Sequence, residues 1–116
     1  MHADLLVARI ARAQASALER AETLRAIVPE LARRLQEAGA RRVVLFGSLA
    51  KGGTPHAESD IDLCVEGIDD RALADVVLDL VELAGADVDL VRWEDASVRL
   101  RRRIEEYGIE VTSVSG

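Results

Sequence analysis

With 116 residues the chain has room for one small domain and no second. An apolar content of 49% against 31% charged excludes a disordered chain, and a net charge of −6 offers no general attraction to nucleic acid or to an anionic membrane surface. Cys64 is the single cysteine, so no internal disulfide can form; together with a charged N-terminus and no apolar run of membrane-spanning length, this makes the expected location cytoplasmic.

Residues 3–28 read as a helix. Leu6, Ile10, Ala13, Ala17, Ala21, Leu24 and Val28, and then Leu31 and Leu35, recur at steps of three and four. Alanine, leucine, arginine and glutamate dominate, all good helix formers. Proline suits the first turn of a helix better than its interior, so Pro29 is expected to open a second helix, Pro29 to Glu37, with Gly39 as its stop. This divides the chain into an N-terminal helical extension, 1–28, and a domain, 29–116. The alanine-rich stripe has two readings. It packs on its own domain, or it exceeds what so small a core can use and forms an interface, with a partner or between copies of the chain.

Arg42 to Phe46 is a short apolar run of strand type that stops at Gly47-Ser48, where glycine allows a tight turn and a close approach to the backbone. A short helical turn around Ser48 to Lys51 follows. Backbone N–H groups at such a turn can hold phosphate oxygens, and the Ser48 hydroxyl adds another donor. Lys51 is placed to reach a phosphate, or is a solvated loop lysine; His56 reads as exposed loop. Asp60 to Glu66 is the second strand. Asp60 and Asp62 are two residues apart, so a strand points both to one face, with Ile61 and Leu63 on the other. Two carboxylates side by side repel unless a positive charge sits between them, and a hard divalent cation, above all Mg²⁺, meets that need. A turn cap would explain Asp60 alone but not an acid inside the strand at Asp62. Cys64 packs there as a small hydrophobe.

Gly67 to Asp70 is a turn, and Arg71 to Ala84 an amphipathic helix burying Leu73, Val76, Val77, Leu80 and Val81, capped by Asp69 or Asp70 and ended by Gly85. Asp87 to Val91 is the third strand, again with two acids on one face, which read alone are also charges guarding a sheet edge. Asp95 to Tyr107 is the last helix, with Arg99, Arg102 and Arg103 on one face, either solvated or facing an acidic partner. Trp93 is read as core or lid packing before base stacking. Ile109 to Thr112 is a short final strand. The sum is an α/β fold: a small mixed sheet of about four strands with helices on one face and a long N-terminal helix.

Leu45-Phe46-Gly47-Ser48, Lys51-Gly52 and Ser59-Asp60-Ile61-Asp62-Leu63 together resemble the nucleotidyltransferase superfamily that includes DNA polymerase beta, and within it the minimal nucleotidyltransferases, or MNT proteins, encoded beside HEPN-domain toxins. Eleven residues separate Ser48 from Asp60, a loop one residue longer than the family's usual spacing, and Leu49 and Lys51 stand where the family often has arginines. The resemblance implies a polymerase beta-like fold and Mg²⁺-dependent transfer of AMP from ATP to a hydroxyl. It implies two metal ions bridged by Asp60 and Asp62, a third carboxylate from Asp89 in its Val-Asp-Leu-Val context, and Gly47, Ser48 and Lys51 on the nucleotide. The implied partner is a HEPN ribonuclease toxin, neutralised in some members by AMP on a tyrosine. Two other classes stay open: an antitoxin that acts by contact alone, and an aminoglycoside-type small-molecule nucleotidyltransferase, which usually needs a second domain.

Overall fold

The computed structural model describes residues 2–50 and 60–111, with side chains from residue 5 onward. Its elements run α1 (His2–Glu37), β1 (Arg42–Phe46), α2 (Gly47–Ala50), β2 (Ile61–Glu66), α3 (Asp70–Ala84), β3 (Val88–Arg92), a single 3₁₀ turn (Trp93–Asp95), α4 (Val98–Tyr107) and β4 (Ile109–Glu110). The expected break at Pro29 is absent: α1 is one helix with the proline inside it. The proline removes one backbone donor and crowds the carbonyl four residues back, at about 3 kcal/mol in an unsupported helix. Here Val28, Leu31, Ala32 and Leu35 are all buried against the sheet on either side of it, and that packing holds the helix through the defect.

The four strands form one mixed sheet in the order β3-β2-β1-β4. β1 pairs antiparallel with β2 and β4, whereas β2 and β3 run parallel, joined by α3. The period-two alternation of the strands sorts their side chains onto two faces. Val43, Leu45, Ile61, Leu63 and Val65 face α1 and α3 and form the main core with Ala21, Leu24, Leu31, Leu35 and Leu80. Each large aliphatic side chain buried there contributes about 1.5–3 kcal/mol. Val44 and Cys64 point the other way and pack on Ile104 of α4, beside Phe46, Trp93 and Leu100. α4 therefore lies on the face opposite α1 and α3, not on the same face.

Local chemistry fixes the ends. Asp69 caps α3 by accepting from the Ala72 N–H, and Gly85 closes it in the left-handed conformation. The last helix starts later than expected because Ser97 is its cap, accepting from the Leu100 N–H after the separate 3₁₀ turn. Trp93 is half-buried between two guanidiniums, Arg42 and Arg101, each 4.9 Å from its ring centre, as packing rather than base stacking requires. Burial pushes the Cys64 thiol up to about 11, consistent with an inert packed sulfur. Among the described residues, no helix is long and apolar enough to cross a membrane.

Candidate active site

The face of the sheet opposite the main core carries Asp62 and Asp89. Asp62 follows the fully buried Ile61 and precedes the fully buried Leu63, so strand alternation turns it away from the core. Across β2 and β3, Asp62 is the register partner of Asp89, and across β1 and β2 it is the partner of Phe46. Register partners on neighbouring strands share a face at about 5 Å, where like charges are destabilising. The parallel pairing of β2 and β3 thus brings Asp62 and Asp89 to one side of the sheet.

Gly47 starts the short helix α2 at the end of β1, with φ at +75°. The backbone angle favours glycine here, and a Cβ at this position would push the Asp62 carboxylate aside. The Gly47-Ser48 turn and Asp62 are therefore in immediate contact range. Arg25 of α1 steadies the turn by donating from Nε to the Leu49 carbonyl at 3.0 Å.

Asp60 stands just ahead of β2 and is engaged elsewhere. Its Oδ2 accepts from Arg20 Nη2 of α1 at 3.0 Å and from the Asp87 backbone N–H at 3.2 Å. Asp87 lies just outside β3, and its carbonyl in turn accepts from the Asp60 and Ile61 N–H groups. Asp62 and Asp89 are thus gathered, Asp60 is held at the same end of the strand by a protein cation, and Asp87 serves as backbone anchor. Among the described residues no three carboxylate, histidine or cysteine groups already stand close enough to hold a metal ion. The donor chemistry nevertheless fits a hard divalent cation: carboxylate oxygens from two strands in register, and a neighbour whose carboxylate already takes a positive group. Lys51 and His56 lie outside the described residues.

A small cavity of about 140 Å³ opens beside this site, lined by Phe46, Gly47, Leu100, Arg103 and Tyr107. Sequence reading did not single out Phe46 or Tyr107 as a pair; the one available signal was that they are the chain's sole phenylalanine and sole tyrosine. Arg20 and Arg25 were also missed, because nothing local marks a helix arginine as reaching a segment far along the chain.

The profile of the nucleotidyltransferase domain family matches residues 24–111. The chain is a nucleotidyltransferase-domain protein. Within that family, a solved structure described as a minimal nucleotidyltransferase is 34% identical, with a TM-score of 0.66 over 77% of this chain and 93% of that one. A toxin–antitoxin structure with AMP-PNP is 28% identical, with a TM-score of 0.61 over 73% and 72%. A complex of a tri-AMPylated HEPN toxin with an MNT antitoxin from Shewanella oneidensis is 23% identical, with a TM-score of 0.57 over 73% and 68%, a likeness of fold. No curated protein matches. This nucleotidyltransferase domain is thus a minimal nucleotidyltransferase on a polymerase beta-like α/β frame.

Proposed function

We propose that this minimal nucleotidyltransferase is the antitoxin of a HEPN toxin and transfers AMP from ATP to a tyrosine hydroxyl of that toxin in the cytoplasm. The observation that carries the reading is the in-register pair Asp62 and Asp89 beside the Gly47-Ser48 turn. Asp60, Asp62 and Asp89 would hold Mg²⁺, with two ions the expected number. When bound, Mg²⁺ lowers the pKa of the attacking hydroxyl and neutralises charge on the departing pyrophosphate. Gly47 and Ser48 hold the triphosphate through backbone N–H groups and the serine hydroxyl, and Lys51 is assigned a further phosphate contact. The hydroxyl oxygen attacks the α-phosphorus, forming one P–O bond as the bond to the β-phosphate bridge breaks and pyrophosphate leaves. Asp89 orients the nucleophile and takes its proton. The new phosphodiester places negative charge where a ribonuclease must bind RNA phosphates, which blocks it by charge and bulk. The solved toxin–antitoxin structure with AMP-PNP and the AMPylated HEPN complex support this choice of nucleotide and partner.

A second reading rests on a specific observation. Asp60 is paired with Arg20 rather than gathered with the other acids. A protein that neutralises its toxin by contact alone would keep its acids in such an arrangement. Intact-mass spectrometry of a co-expressed HEPN partner decides. With ATP and Mg²⁺ the wild-type chain is expected to add AMP mass, and Asp62→Asn to add none while folding normally, because the substitution keeps size and removes repulsion. No mass gain, with full neutralisation by Asp60→Ala/Asp62→Ala, establishes the contact-only antitoxin.

A further inference from the structure

Apart from Gly47, the cavity between the end of β1 and α4 has no part in the chemistry assigned so far. Its lining is unusual for this chain. Aromatic residues make up 3% of the sequence, with one phenylalanine, one tyrosine and one tryptophan. The phenylalanine and the tyrosine both line this one cavity, although they lie on different elements and far apart in sequence. The tryptophan is already covered by Arg42 and Arg101. Arg103, exposed on α4, completes the lining with a cation. Two aromatic side chains with an arginine form a platform for a flat, electron-rich ring, by stacking and cation–π attraction.

Position then selects the ring. Phe46 is the register partner of Asp62, so the cavity opens on the sheet face of the acids. Gly47 belongs both to the cavity lining and to the turn assigned to the triphosphate. At about 140 Å³ the space is well below the roughly 300–1,000 Å³ of a site that encloses a whole drug-sized ligand, so it takes one ring system with the rest of the molecule outside. We propose that Phe46, Tyr107 and Arg103 form the subsite for the nucleobase of the nucleoside triphosphate. Tyr107 and Phe46 stack on the base, and Arg103 supplies the cation at its edge. The inference rests on the proposed nucleotidyl transfer and assigns residues to substrate choice that the acid motif does not contain.

The test is titration calorimetry of the full chain with ATP and, separately, with inorganic tripolyphosphate, both with Mg²⁺ and no acceptor. Wild type is expected to bind ATP about ten-fold more tightly than tripolyphosphate, the margin of one stacked base. Tyr107→Ala and Arg103→Gln are each expected to remove most of that margin by weakening ATP, with tripolyphosphate unchanged. Tyr107→Phe keeps the ring and should keep the margin. Tyr107 is 50% exposed, so its truncation spares the core, and circular dichroism of each variant checks this. Equal wild-type affinity for the two ligands overturns the subsite while leaving the transfer reaction standing, as does a margin that survives both variants. Variants that bind ATP normally but lose affinity for the protein acceptor also overturn it, giving the cavity to the acceptor's ring. Binding of neither ligand by wild type overturns the transfer reading and the subsite together.

Discussion

The contact between Arg20 and Asp60 joins α1 to the start of β2. In the metal-free protein the Asp60 carboxylate has a guanidinium at 3.0 Å. Removing that cation has two expected consequences. Arg20→Gln lowers the melting temperature of the metal-free protein, modestly because Arg20 is half exposed, and enlarges the upward shift in melting temperature that Mn²⁺ produces. A variant with an unchanged Mn²⁺-dependent shift would show that Asp60 exchanges no partner on loading. Cys64 gives a second expectation. Its thiol is held protonated by burial, up to about 11 from an ordinary 9.0. Unfolding releases that thiol to lose its proton at lower pH, so the contribution to stability is complete below pH 9.0 and disappears as pH rises toward about 11. Thermal melts of wild type and Cys64→Ala should accordingly converge over that alkaline interval, and iodoacetamide should label the native thiol slowly at pH 8.

At the level of elements, α1 is one helix with two environments. From Ala21 onward its stripe is core, with Ala21, Leu24, Leu31 and Leu35 at 3% exposure or less, whereas Leu5, Leu6, Val7, Ile10 and Leu18 are each at least half exposed. Deleting residues 1–16 is therefore expected to leave the melting temperature within a few degrees of wild type, while Leu31→Ala costs about 2–5 kcal/mol. We propose that the deleted segment serves a protein interface, so the deletion should also weaken toxin binding or self-association; a truncated chain that unfolds would return the segment to the core. The same helix shows what a sequence conveys and what it does not. Its three-and-four periodicity marked Leu24, Val28, Leu31 and Leu35 as one stripe, and the β1 limits, Arg42 and Phe46, follow from an apolar run stopped by glycine. Pro29 misled because local propensity favours a break there and tertiary packing outweighs it. The Asp-x-Asp spacing and Gly47-Ser48 were legible because strand alternation and turn chemistry are local. The Asp62–Asp89 register, the Arg20 contact and the meeting of Phe46 with Tyr107 were not, since each depends on how distant segments are brought together.

For the molecule as a whole, the sheet separates two tasks. One face supplies most of the burial, with α1 and α3 closed over it; the other carries Asp62, Asp89, the aromatic cavity and α4. Charge and shape are also unevenly matched. The protein measures 58 × 30 × 25 Å with a radius of gyration of 16.1 Å, against about 13 Å for a compact chain of this length. The excess comes from the unpacked first half of α1, and it changes how the protein moves through solvent. A rod projecting from a small globule raises friction without adding mass. A monomer should therefore elute from a sizing column ahead of its true mass and sediment slowly for its weight, so elution volume alone would read as a dimer. Light scattering, which weighs particles irrespective of their drag, is expected to return the single-chain mass wherever no real association occurs, and the 1–16 deletion should shift elution by more than its missing mass accounts for.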